Sequence, residues 1–396
     1  MKISAFRPYI FSGEVKDYHS PPYDTISKEM ETELKKSPYN ITHVILPEKE
    51  DYSDAQSTLR SWIANGILKK VQENCMVILS QEFRYDDHDQ RRYGLIALTQ
   101  IYPTDGSIKP HERTFDGPKK QRLNLMAALK CQPEPIFLLV SNQNFLSLIK
   151  KHVEDHSPDV EIEEPIGVVN RAYFVKDAQT IELLTNSVGQ DNSIVADGHH
   201  RLAATMELAA LSEGKRREYW SRCLSYISSV SDAGLRIGGI HRCLEFRVDV
   251  NALLSNLKDL FTVEKAENPK SLEDITIYAD GFYVLKPNKA KILETMGWNE
   301  DQVYPALIAR EVILKRALKL EVSQIEVGVK YIHNSDEAIR GVNDGKFSMA
   351  ILLPSWDKET FIKLIMKGEM LTQKSTYFYP KPPSGLVLNC YEEEAA

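Results

Sequence analysis

The run Val195-Ala196-Asp197-Gly198-His199-His200-Arg201-Leu202-Ala203-Ala204 constrains this chain more than any other. A short apolar strand breaks at Asp-Gly and passes straight into an Ala- and Leu-rich helix that Gly214 closes. Gly198 permits the tight turn, and His199, His200 and Arg201 fall on the first helical turn. A helix N-terminus presents unpaired N–H groups and partial positive charge, which together attract an anion. Arg201 adds a bidentate donor suited to phosphate. Asp197 repels a bare phosphate, so it reads as a magnesium ligand, a base, or a group that holds an imidazole. An Asp-capped turn alone needs neither the two histidines nor the arginine.

Further stretches carry chemistry. In Lys109-Pro110-His111-Glu112-Arg113-Thr114 a carboxylate follows a proline in an extended segment, where it can accept a proton from a substrate hydroxyl; the plain alternative is a solvated charged loop. In Ser20-Pro21-Pro22-Tyr23-Asp24 two prolines fix the loop that carries Tyr23 and Asp24, either as substrate contacts or as an Asx-type turn. Lys374-Ser375-Thr376, with Lys381 and Ser384-Gly385, can complete an anion pocket or be a strand with exposed lysines. His241-Arg242 is a basic pair between strand signals.

Alternating helix and strand signals predict a mixed α/β, α+β chain. The clearest predicted elements are a hairpin from two apolar runs, 76–83 and 93–101, and helices over 119–129, 144–153 and 178–188. Strands are expected at 135–140, 193–196 and 223–230. The last third predicts a hairpin around Asp280-Gly281, a helix over 306–318 and strands over 326–332 and 347–353. A length of 396 residues exceeds one hydrophobic core. We expect an N-terminal α+β lobe (1–104), a phosphate-binding core (105–245) and a C-terminal α+β lobe (246–396).

The absences narrow the chemistry. There is no GxxxxGK[ST] loop, kinase HRD or DFG set, GxGxxG, GxSxG or HExxH, which argues against common nucleotide kinases, Rossmann dehydrogenases, serine hydrolases and zincins. A metal hydrolase is a weak fit, because adjacent His199 and His200 do not share a helix face. The net charge of −7 argues against nucleic acid and anionic membranes. Five scattered cysteines without a CxxC pair support neither a disulfide framework nor a zinc knuckle. The apolar runs are strand-sized and the N-terminus lacks a signal-like apolar core, so a cytoplasmic location is expected. Oligomeric state is not readable.

The Ala196–Arg201 run resembles the phosphate-binding strand–turn–helix of the ParB/sulfiredoxin superfamily, which includes a free-serine kinase with a similar run. The whole chain is identified as a member of the family catalogued as domain of unknown function 1015. Its landmarks here are Phe6-Arg7-Pro8, Pro21-Pro22-Tyr23-Asp24, His111-Glu112 with Thr114, Pro135-Ile136-Phe137-Leu138, Asp197–Arg201, His241-Arg242 and Lys374–Gly385. One departure is the span of more than fifty residues between Pro135 and Asp197, which marks an insertion over about 142–190.

The resemblance implies a ParB-like core and phosphorylation of free L-serine, with pyrophosphate, ATP or ADP as donor and Mg²⁺ as cofactor. It puts Glu112 at the catalytic glutamate position. In that frame Asp197 holds Mg²⁺ or orients a histidine, and His200 joins the catalytic set. Gly198, His199, His200, Arg201, His241, Arg242, Lys374 and Lys381 take the donor, while Tyr23, Asp24, His111 and Thr114 take the acceptor. The alternative is a nucleotide- or phosphometabolite-binding regulator without catalysis.

Overall fold

The computed structural model describes residues 1–13, 15–85, 88–112, 116–189, 192–267 and 272–392. The chain divides into two compact units: Met1–Leu235 with Pro380–Ala396, and Arg236–Tyr379. The fold is mixed α+β. Among the described residues no helix is long and apolar enough to cross a membrane.

A nine-stranded mixed sheet organises the first unit. Its order is Ile108–Lys109, Ser193–Asp197, Ile136–Val140, Arg222–Ser229, His88–Gln100, Met76–Tyr85, Val169–Val175 and Val160–Glu163, with Ile3–Ser4 also paired to His88–Gln100. The boundary expected at 104/105 therefore falls inside this sheet. Ile136–Val140 reads Ile-Phe-Leu-Leu-Val and all five residues are buried, as a strand covered on both faces requires. The predicted hairpin forms, with strands longer than expected: Val77 to Tyr85 pair antiparallel with Ile96 to His88.

Two helices cover the apolar core on one side. Gln143–Asp155 is capped by Asn142, whose side chain accepts the Asn144 N–H at 2.9 Å, and buries Phe145, Leu146 and Ile149. Ala178–Val188 is capped by Asp177 and buries Leu184 and Val188. Phe145, Ile149, Leu184 and Val188 join Met76, Ile78, Leu95, Ile136, Leu138 and Val195 in one cluster. A separate cluster joins Met126 of the helix Asp116–Leu129, Ala204 and Leu208 of the helix His199–Leu211, and Trp220.

The second unit carries a six-stranded antiparallel sheet that includes the predicted hairpin Ile275–Tyr278 and Phe282–Pro287. One expectation fails here and one is refined. The stretch 326–332 is not one strand: Val322–Gly328 is a helix, started by a capping box between Glu321 and Gln324, and only Val329–Ile332 is strand. The stretch 306–318 is helical, but Ile308–Ala317 winds as a π-helix, as in the Leu318 N–H to Ile313 carbonyl bond.

Candidate functional site

Strand pairing assembles the site in the first unit. Ser193–Asp197 runs antiparallel to Ile136–Val140, and after a bulge between Val195 and Asp197 the latter lies opposite Phe137. The end of one strand therefore meets the Pro133-Glu134-Pro135 entry to the other. Ile108–Lys109 runs parallel to Ser193–Ile194, which carries the following residues His111 and Glu112 alongside Val195. Gly198 makes the turn at φ +86°. An added Cβ there would sit 3.0 Å from Ile136 Cγ2 and 3.2 Å from Arg201 Nε, so any other residue strains the backbone and crowds its neighbours.

Charged groups from distant segments meet at this turn. Arg201 Nη2 donates to Asp197 Oδ2 at 2.6 Å, and its Nη1 donates to the Pro135 carbonyl at 2.6 Å. Its Nε is buried and has no hydrogen-bond partner. Burial opposes the Arg201 charge, but Glu134, Asp197 and Asp24 outweigh it and hold the guanidinium firmly protonated. Lys381 Nζ lies 2.6 Å from Asp197 Oδ1 and 3.0 Å from Asp24 Oδ2, with its side chain only 8% exposed. The segment that brings Lys381 in is fixed by its backbone: Gln81 Nε2 donates to the Lys381 carbonyl at 3.2 Å, and Arg92 donates to the Pro380 carbonyl.

Glu134 ties the remaining pieces together. Its buried Oε1 accepts from the Tyr23 N–H at 3.2 Å and from the Ser384 hydroxyl at 2.7 Å. The Arg122 guanidinium stacks 3.9 Å from the Tyr23 ring centre, and its Nη1 donates to the Ile45 carbonyl. Burial, then the neighbouring Asp24, push the Tyr23 phenol up to about 12.

Burial disfavours the charged form of His111 and His199. His111 Nδ1 is 2.5 Å from the Val195 carbonyl; a carbonyl only accepts, so that nitrogen carries the proton. Burial lowers His111 to about 4. The bare Nε2 then faces Glu112 Oε1 at 3.7 Å, which is a contact and not an ion pair. The His111 backbone N–H donates to His199 Nε2 at 3.3 Å, and burial, followed by His111, drives the His199 pKa well down. The two rings meet edge to face at 4.6 Å.

Of the residues expected to act, the fold brings Tyr23, Asp24, Asp197, Gly198, Arg201 and Lys381 together, with His111 and His199 beside them. The Glu112 carboxylate is 18% exposed next to His111. His200 is half-buried on the first helical turn. Thr114 lies outside the described residues. His241, Arg242 and Lys374 belong to the second unit. There the Leu353 N–H donates to His241 Nδ1 at 3.0 Å, and burial lowers that imidazole to about 4. Buried Arg242 donates to the carbonyls of Ile240 and Lys374. Glu134 escapes the sequence reading altogether. The available signal was a carboxylate locked between two prolines just ahead of a fully apolar strand.

The donor set does not fit a metal ion held by Asp197. One of its oxygens faces Arg201, the other faces Lys381, and the Lys381 ammonium fills the position between the two carboxylates. Among the described residues no group of three or more His, Cys, Asp or Glu is arranged around a cation.

A family model described as "Protein of unknown function (DUF1015)" matches residues 3–310. The chain belongs to this family. No curated protein matches it. Among solved structures, a conserved hypothetical protein from Pyrococcus furiosus is 16% identical with a TM-score of 0.37, over 70% of this chain and 90% of that one. A free serine kinase in complex with AMP is 13% identical with a TM-score of 0.37, over 69% and 83%. SbnI with a C-terminal truncation, from Staphylococcus aureus, is 11% identical with a TM-score of 0.41, over 74% and 86%.

Proposed function

We propose that this chain is a phosphotransferase, built on a ParB/sulfiredoxin-like core, that moves a phosphoryl group from pyrophosphate or a nucleotide (ATP or ADP) to the hydroxyl of free L-serine. The observation that carries this reading is the cluster Asp24–Lys381–Asp197–Arg201 at a helix N-terminus. Asp24 and Asp197 hold a primary ammonium between them, that of Lys381, at 3.0 and 2.6 Å. An amino-acid ammonium is the same chemical group. In our reading serine takes that position and Lys381 turns toward the donor phosphates.

Phosphoryl transfer asks the protein mainly for positioning and charge neutralisation. The N–H groups that follow Gly198, the unpartnered Arg201 Nε and the displaced Lys381 supply the anion side. Asp24 and Asp197 supply the cation side. The serine Oγ forms the new P–O bond as the bond to the leaving phosphate breaks, and the Oγ proton passes to Glu112. The neutral His111, bonded to Val195, fixes the backbone that carries Glu112. Mg²⁺ would arrive with the donor phosphates, and no step is assigned to it. The Tyr23 ring already bears the Arg122 guanidinium, so the cluster offers cations more readily than an aromatic slot for a base. This favours pyrophosphate.

The test is direct. Purified protein, Mg²⁺, L-serine and each donor in turn should give O-phospho-L-serine, read by phosphorus NMR. No product with any donor overturns the proposal. Thermal stabilisation by a phosphorylated ligand without turnover would instead support a phosphometabolite-binding regulator.

A further inference from the structure

We propose that Cys131 and Cys390 form a reversible disulfide that latches the C-terminal segment to the strand Cys131–Gln132 within the first unit. The two residues are far apart in sequence but are direct cross-strand partners, in the antiparallel pair of Cys131–Gln132 with Asn389–Cys390. The Tyr391 N–H donates to the Lys130 carbonyl at 2.8 Å, one residue to either side, which makes Cys131 and Cys390 a non-hydrogen-bonded pair. In such pairs the Cα atoms approach to about 4.5 Å and the side chains point at each other, within the span a disulfide needs. Both thiols are reduced in the structure.

The surroundings divide the roles. Cys131 is fully buried, whereas Cys390 is half-buried and open to a small oxidant. Burial, then contact with Cys390, hold Cys131 as the thiol, so Cys390 reacts first. With hydrogen peroxide, Cys390 Sγ attacks one oxygen, the O–O bond breaks, the thiol proton goes to the departing hydroxide, and a sulfenic acid and water form. Cys131 Sγ then loses its proton and attacks the Cys390 sulfur. The S–S bond forms, the S–O bond breaks, and a second water leaves. Two thiols lose two electrons and one peroxide is reduced.

The strand so fastened is continuous with Lys381 and Ser384. Without the bond it is held by non-covalent ties: reciprocal backbone bonds between Tyr9 and Leu388, both 2.9 Å, and the Tyr219 hydroxyl donating to the Asn389 carbonyl at 2.6 Å.

The experiment treats the full chain with hydrogen peroxide and compares it with the reduced protein. Alkylatable thiols in denaturant should fall from five by two, a non-reduced digest should yield the Cys131 peptide joined to the Cys390 peptide, and a dithiol should reverse both. Cys131→Ser should stop at a Cys390 sulfenic acid that dimedone captures, and Cys390→Ser should leave Cys131 reduced. Exchange of the Tyr9 and Leu388 amides should slow at least tenfold in the oxidised protein. A Cys390 link between two copies, a Cys390 that over-oxidises beside a free Cys131, or unchanged amide exchange would each overturn the latch.

Discussion

Gly198→Ala tests whether the turn at the centre of the site is as tightly enclosed as its backbone indicates. The residue has φ +86°, and its new Cβ would lie 3.0 Å from Ile136 Cγ2, 3.1 Å from Ile136 Cα and 3.2 Å from Arg201 Nε. A left-handed backbone costs an alanine about 1–2 kcal/mol. Overpacking against a backbone atom that cannot swing away adds about 1–3 kcal/mol. The sum is about 2–5 kcal/mol. Gly66→Ala is the matched control in the same unit. At φ +69° it meets only Lys69 Cε at 3.7 Å, an ordinary contact, and should cost only the backbone part, about 1–2 kcal/mol. Urea unfolding followed by tryptophan fluorescence measures both. Placing them in a background with Trp298 and Trp356 changed to Phe leaves Trp62 and Trp220 to report on the first unit. If the two variants agree within about 0.5 kcal/mol, the close approach to Ile136 and Arg201 is absent and the argument from glycine fails.

Other expectations follow from the same geometry. Glu112→Gln should keep donor binding and lose about 10²-fold or more in phosphoserine formation; near-normal turnover would remove Glu112 as proton acceptor. Arg201→Lys keeps the charge but loses the fork that spans Asp197 and Pro135, so titration calorimetry should show pyrophosphate binding weakened about tenfold or more, and unchanged affinity would reject Arg201 as a phosphate ligand. Glu164 is buried against Asn170 Nδ2, and burial lifts its carboxyl from 4.5 to about 7. The folded state then binds more protons than the unfolded chain between those values, so stability falls as pH rises from about 4.5 to 7 and is flat above. The gap corresponds to about 3 kcal/mol. Urea unfolding at pH 5 and pH 7.5 should show that loss in the parent chain and not in Glu164→Gln; equal pH dependence in both would refute it.

Local rules made much of the fold legible. Ala178–Val188 has the predicted bounds, because the Asp177 cap marks its start and an apolar face repeats along it. The turn at Gly198 is equally local, since a strand, an Asp-Gly break and an Ala-rich helix follow one another without a gap. The stretch 326–332 was misleading for a physical reason. Its β-branched residues suit a strand, but the Glu321–Gln324 capping box upstream starts a helix that runs through Gly328.

The sequence alone determined the pieces: a phosphate-type turn at Asp197–Arg201, a proline-fixed Tyr23-Asp24, a carboxylate at Glu112 and a C-terminal lysine at Lys381. It could not determine which pieces meet, because that depends on non-local strand pairing. Only the antiparallel register of Ser193–Asp197 against Ile136–Val140 puts Asp197 beside Pro135 and recruits the unsuspected Glu134. Only the return of the C-terminal segment puts the Lys381 ammonium between Asp24 and Asp197, whose two carboxylates make the near-burial of that charge tolerable. Burial decided the rest. It made His111 and His199, which the sequence offered as acceptor and donor contacts, neutral partners, because a charge without a compensating group is too costly to desolvate there.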